Sequence, residues 1–164
     1  MALFPSAPGG GEKVDHGYKG KGVLIHLLAD KNGRPLLIRN TGAKGSEKKE
    51  ALDLLRKMEE SCSLEGRVVE ADRGYDAYWL RTELLQMGTL PLVPYRSTTK
   101  NAPSIRDVCN RFGCANVRWR VERAFSWLKR KYRRLMIRWE RRAVLWNAFT
   151  SLALIHYWLG FLVE

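Results

Sequence analysis

The sequence predicts an α/β domain in which helices cover the faces of a mixed sheet. Three observations point there. Residues 23–29 (VLIHLLA) are a run of apolar, β-favouring residues, followed by the turn signal DKNG and a second such run at 35–40, which together read as a hairpin. Residues 67–71 (RVVEA) read as a short strand ahead of a glycine-containing turn and a helical segment. Residues 117–135 carry apolar side chains at helical spacing, and residues 143–163 form an apolar stretch of helical length.

Taken in order, residues 1–21 are rich in glycine and contain Pro5 and Pro8, so an extended piece running into a loop is expected. His26 falls inside the first strand and is expected to be a hydrogen-bonded core histidine, not a ligand. After a loop at 41–45, Ser46 is the expected N-cap of a helix that ends near Glu60. No capping box can form, because Lys49 stands three positions on, but Glu47 and Glu50 suit the first turn. Ala51, Leu54, Leu55 and Met58 give that helix its apolar face. Asp72 stands at the C-terminal end of the 67–71 strand, and Asp76 is the expected N-cap of a helix over 77–87 closed by Gly88. Residues 90–93 read as another short strand, weakened by Pro91 and stopped by Pro94. Residues 95–116 are polar and weakly patterned, and a loop or insertion is expected there.

The helix over 117–131 (VRWRVERAFSWLKRK) gathers Val121, Ala124, Phe125, Leu128, Tyr132 and Leu135 into one stripe. Arg118, Glu122 and Lys129, at offsets of four and seven, line one border of it. Arg120, Arg123, Arg130 and Arg134 are expected to point toward solvent or an anionic partner.

At 164 residues the chain is one domain or most of one. A net charge of +12 favours a polyanionic partner, of which nucleic acid is the commonest. Three cysteines without a repeated spacing argue against a disulfide framework and for a reducing compartment. No basic region followed by an apolar run marks a signal peptide. Asn147, Thr150, Ser151 and His156 interrupt the apolar C-terminal segment, so a core helix packed on the sheet is expected there and not a membrane span.

Two carboxylates carry the chemistry. Asp72 alone reads equally well as a turn cap, and Glu122 alone as an ion-pair partner of Arg118 or Lys129. Together, in so basic a chain, they suggest a divalent-metal site for phosphodiester chemistry. Mg²⁺ prefers oxygen ligands and commonly takes only one or two carboxylates, filling its shell with water and phosphate oxygens. A pair of such ions normally needs a third acid.

The segments KGKG (19–22), DKNGRPL (30–36), ADRGYD (71–76) and RWRVERAFSWLKRKYRRL (118–135) together resemble the DDE transposases of bacterial insertion sequences, over nearly the whole chain. The resemblance implies a ribonuclease-H-like fold in which two Asp and one Glu hold Mg²⁺ (or Mn²⁺) for DNA strand cleavage and transfer. Asp72 matches the second acid and Glu122 the third, so both are expected to be catalytic metal ligands. Arg118 and Lys129 match basic positions of the motif, while Ala115 stands where a tyrosine is expected. Arg123, Arg130, Arg133 and Arg134 are expected to add DNA backbone contacts. The first acid would fall just before Met1, with residues 3–6 (LFPS) as the remnant of its strand, and neither Asp15 nor Asp30 is expected to replace it. The resemblance thus implies a single N-terminally truncated catalytic domain over residues 1–164, the C-terminal part of a transposase. DNA is the implied partner and the bacterial cytoplasm, near the nucleoid, the implied location; a homo-oligomer is implied and a membrane is not. The alternative is a catalytically inactive, nucleic-acid-binding remnant.

Overall fold

The computed structural model describes residues 2–99 and 117–163, with the backbone alone at 117 and 118. Its centre is the long strand β3 (Gly20–Ala29). The two-residue β1 (Ala2–Leu3) pairs antiparallel with Ile25 and His26 of β3. On the opposite edge β4 (Pro35–Gly42) pairs with β3 from Val23↔Gly42 to Ala29↔Pro35, with a bulge at Leu28/Ala29. β2 (Asp15–Gly17) pairs antiparallel with Gly20–Gly22, so three of the four residues of the KGKG segment are strand and not the loop that its glycines suggest. A second, parallel pair is made by β5 (Val68–Glu70) and β6 (Leu90–Leu92). The result is a mixed α/β architecture.

The continuous apolar run of β3 is explained by cover on both faces. Val23, Ile25 and Leu27 pack with Ala124, Phe125 and Leu128 of helix α3 (Val117–Lys131), with Leu135, and with Trp146 and Ala153 of helix α4 (Ala143–Val163). On the other side, Leu52 and Leu55 of helix α1 (Glu47–Glu59) and Leu80 and Leu84 of helix α2 (Tyr78–Gln86) enclose Tyr75 and Val93, with Leu28 against them. The expected stripe of α3 is observed, with Val121 and Tyr132 half-buried at its ends and Leu135 in a short 3₁₀ turn (Arg133–Met136).

Local chemistry fixes the connections. Ser46 occupies the N-cap position of α1 without a side-chain bond. Gly88 has φ +70, the left-handed conformation that closes α2. In the β3–β4 turn the Asp30 carboxylate accepts the backbone N–H groups of Asn32 and Arg34, both at 2.8 Å, which commits Asp30 to the turn. Gly33, at φ +78, faces the Arg120 carbonyl, and a β-carbon there would lie 2.9 Å from it, so the hairpin tip is seated against α3. Of the expected loop at 95–116, residues 95–99 are described and 100–116 lie outside the described residues, as does the Arg118 side chain.

The C-terminal helix departs from expectation. Only Ala143, Trp146, Thr150 and Ala153 of α4 are buried, and its opposite face is open. Among the described residues, no helix is long and apolar enough to cross a membrane.

Candidate active site at the end of strand β5

Where β5 ends, Asp72 caps a single 3₁₀ turn (Arg73–Tyr75), its Oδ1 accepting the Gly74 N–H at 2.8 Å. The turn is short because extended backbone at Asp72 must reverse within the RGY segment, and the carboxylate satisfies the amide that the reversal exposes. Asp72 is half-buried at a solvent-open cleft of about 810 Å³. The apolar walls of the cleft come from β3, α1 and α2, and its polar lining from His26, Glu47, Glu70, Asp72 and Tyr75. Val121 of α3 also lines it.

Three contacts hold this corner. Glu70 accepts from Arg120 Nη1 at 2.7 Å, binding the end of β5 to α3. The Tyr75 hydroxyl donates to Glu47 at 3.2 Å. Burial, reinforced by the negative charges of Glu47 and Asp72, pushes the Tyr75 phenol far above its ordinary range and keeps it protonated. His26 is buried and its Nε2 lies 2.7 Å from Thr41 Oγ1, as expected of a core histidine. Burial, with the Arg39 charge adding to it, lowers its pKa to about 4, so the ring is neutral at pH 7.

The two aspartates of the ADRGYD segment have separate tasks. Asp76 does not cap α2, whose N-cap is Ala77. Its side chain instead accepts from Arg81 Nη2 at 3.0 Å, the Arg96 backbone N–H at 2.7 Å and Thr99 Oγ1 at 2.8 Å. Burial alone would raise its pKa, but these hydrogen bonds and the Arg81 charge outweigh it and hold the carboxyl below its ordinary value. Arg81 in turn stacks on Tyr95, 3.7 Å from the ring centre, and donates to the Val93 carbonyl. This is a structural knot, whereas Asp72 keeps its place at the cleft.

Glu122 follows Val121 on α3 and is exposed. Arg123, Lys129, Arg130 and Arg133 are also exposed on α3 or just past its end. Not every cation of this region faces outward. Arg120 is committed to Glu70. Arg134 binds the buried Glu140 twice, at 2.9 and 2.7 Å. Arg138, buried, donates to the Glu140 carbonyl at 2.8 Å. Arg120 is thus turned to the end of β5, and the expectation that it points outward is corrected; Arg134 and Arg138 brace the turn that enters α4, although Arg134 keeps much of its side chain in solvent. That turn also receives Glu12, which accepts the Ala143 N–H at 2.8 Å. Gly11, at φ +125, lies against the Arg141 backbone, and a β-carbon there would approach to 2.4 Å. Sequence reasoning missed the pairs Glu70–Arg120, Glu47–Tyr75 and Glu12–Ala143. Each joins residues distant in the chain, and no local periodicity announces them.

Among the described residues, no three His, Cys, Asp or Glu side chains lie close enough together to form a metal cluster. The carboxylate donors present suit a hard divalent ion bound through one or two protein ligands, with water and phosphate completing the shell. They do not amount to an all-protein cage.

A half-buried acid thus stands at the carboxyl end of a strand in a mixed α/β domain, close to where a strongly basic helix is fastened to that strand. The family model described as "Transposase DDE domain" matches residues 4–158, and the chain belongs to that family. It is 36% identical over 137 residues to a Burkholderia cepacia protein named "Putative transposase for insertion sequence element IS402"; the match covers 80% of this chain and 60% of that relative. No solved structure matches the chain.

Proposed function

We propose that this chain is the catalytic part of a DNA transposase with a ribonuclease-H-like fold, cutting and rejoining DNA strands for an insertion sequence in the bacterial cytoplasm. The observation that carries the reading is the seating of α3 beside the end of β5. The Glu70–Arg120 pair, at 2.7 Å, and Val121 in the wall of the cleft that Asp72 lines bring the two motif segments to one corner. Family membership supplies the chemical context.

In this reading Asp72 and Glu122 hold one Mg²⁺ or Mn²⁺. A bound ion of this kind activates an attacking hydroxyl and offsets negative charge at the phosphate. The protein's own groups set the geometry. The Gly74 N–H fixes the Asp72 carboxylate, and the Glu70–Arg120 pair fixes the height of α3 against it. Tyr75, held protonated, supports the turn from beneath without competing for the ion. Arg118, Arg123, Lys129, Arg130 and Arg133 bind DNA phosphates and so set the register of the strand, with Arg134 adding charge nearby; none of them encodes base sequence. Water or a 3′ hydroxyl is the nucleophile.

The test is nicking of supercoiled plasmid by the purified chain in Mg²⁺ or Mn²⁺. Metal-dependent nicking abolished by Asp72→Ala and by Glu122→Gln is expected. Nicking that survives both substitutions contradicts the assignment. Absence of nicking, with DNA affinity unchanged by Asp72→Ala, marks the inactive DNA-binding alternative.

A further inference from the structure

We infer that the pocket enclosed by the β3–β4 turn, α3 and α4 takes one unstacked nucleobase together with its phosphate. The pocket is open to solvent and holds about 730 Å³. Small-molecule sites ordinarily run from about 300 to about 1,000 Å³. The turn contributes Asn32 and Arg34, α3 contributes Arg123 and Trp127, and α4 contributes Tyr157 and Phe161.

Helical spacing and the turn hold these walls in place. Trp127 follows Arg123 by four positions and Phe161 follows Tyr157 by four, so each helix presents its two residues on one face. Asp30 fixes the turn by accepting the Asn32 and Arg34 backbone N–H groups, and Gly33 seats it against α3. The Trp158 indole fastens α4 to the same turn, donating to the Pro35 carbonyl at 2.8 Å.

The lining selects the ligand. Trp127 and Tyr157 meet edge to face, 4.6 Å apart at 90°, and in such a pair one ring keeps both faces clear of the other. Arg34 stacks its guanidinium 3.9 Å from the centre of the Phe161 ring, which adds a cation to the aromatic wall. Nucleobases of every kind stack on walls of this type. Among the described residues no acid lines the pocket, and neither Arg34 nor Arg123 stands in an ion pair. Two uncompensated guanidinium groups favour an anion, and phosphate above all. Asn32 adds a carboxamide, which offers a base edge both a donor and an acceptor. A nucleotide unites plane and charge, whereas a carboxylate or a bare phosphate supplies the charge alone. Ala124, in the pocket, follows Val121, in the wall of the Asp72 cleft, by three positions, so the two openings lie about one turn apart along α3. A DNA strand crossing the cleft is therefore one source of the nucleotide, a source that rests on the proposed function. Free nucleotide is the other.

Equilibrium binding by the full chain in EDTA tests this, and its outcome is independent of metal-dependent cleavage. The probes are dAMP, ribose 5-phosphate, a blunt DNA duplex and the same duplex carrying one unpaired adenine. One stacked base should make the base-bearing probe of a pair bind about tenfold tighter. A preference within the duplex pair assigns the pocket to a DNA strand, and a preference for dAMP over ribose 5-phosphate alone assigns it to free nucleotide. Trp127→Ala should abolish the preference without weakening the blunt duplex, and Trp127→Phe should restore most of it. If circular dichroism shows Trp127→Ala to be unfolded, Arg34→Ala with Phe161→Ala replaces it, since both side chains reach solvent, and the same loss is expected. Equal binding within both pairs of probes overturns the inference. So does a preference that persists in variants that keep their fold.

Discussion

Arg120 Nη1 lies 2.7 Å from Glu70 Oε2, an ion pair joining two residues fifty positions apart. It fastens the arginine-rich helix to the strand that ends at Asp72. Both side chains are about a quarter exposed, so solvent screens the pair and its contribution is smaller than that of a buried one. Arg120→Ala should therefore cost about 1–2 kcal/mol in urea denaturation. It should also speed amide hydrogen exchange in the first half of α3 more than in α1. Equal changes in both helices would mean that the pair does not position α3.

The two aspartates of ADRGYD should separate cleanly by stability. Asp76 receives hydrogen bonds from three residues with its side chain 6% exposed, so Asp76→Ala leaves Arg81 buried without its partner. A loss of about 3–5 kcal/mol in chemical denaturation is expected. Asp72→Asn retains an acceptor for the Gly74 amide and should change stability by less than about 1 kcal/mol. The reverse order would exchange their roles.

His26 should make stability depend on pH. Its folded pKa, about 4, lies below the ordinary 6.5, so the unfolded chain binds the proton more tightly. Stability is full above pH 6.5 and falls as the pH drops through the window from 6.5 to about 4, by up to about 1.4 kcal/mol per pH unit. The depressed carboxyls of Asp76 and Glu140 also lose stability on acidification, but through their own lower, carboxylate range. Denaturation midpoints of His26→Gln should be flat from pH 6.5 to 5, where the wild-type curve slopes.

Much of this was legible in the sequence, and what was not has a common cause. The hairpin, the apolar stripe of α3 and the strand before Asp72 follow from side-chain periods that the backbone imposes locally. The KGKG segment was misjudged because glycine lowers strand propensity, while pairing of Gly20–Gly22 with β2 overrides it. Arg120 and Arg134 read as solvent-facing because charge on a helix surface usually is. Their partners, Glu70 and the Glu140 turn, become visible only once the chain has folded back on itself. For the same reason α4 read as a buried helix: its composition is that of a core segment, but nothing in the sequence says which face the sheet covers.

DNA affinity should distinguish the outward cations from the inward ones. Each phosphate contact contributes about 0.9 to the slope of log affinity against log salt. Arg123→Ala, Lys129→Ala, Arg130→Ala and Arg133→Ala should each reduce the slope by up to about one, with little effect on stability. Arg138→Ala should instead destabilise the fold, because it removes the donor to the Glu140 carbonyl. A slope unmoved by the four outward substitutions together would place the DNA elsewhere.

The most direct test of the central claim is Mn²⁺ binding followed by electron paramagnetic resonance, taken round a double-mutant cycle of Asp72→Ala and Glu122→Ala. If both carboxylates hold one ion, each single substitution should weaken binding at least about tenfold, and the double variant should lose much less than the sum of the two. Strictly additive losses, or a substitution that leaves Mn²⁺ affinity unchanged, would contradict a shared cation.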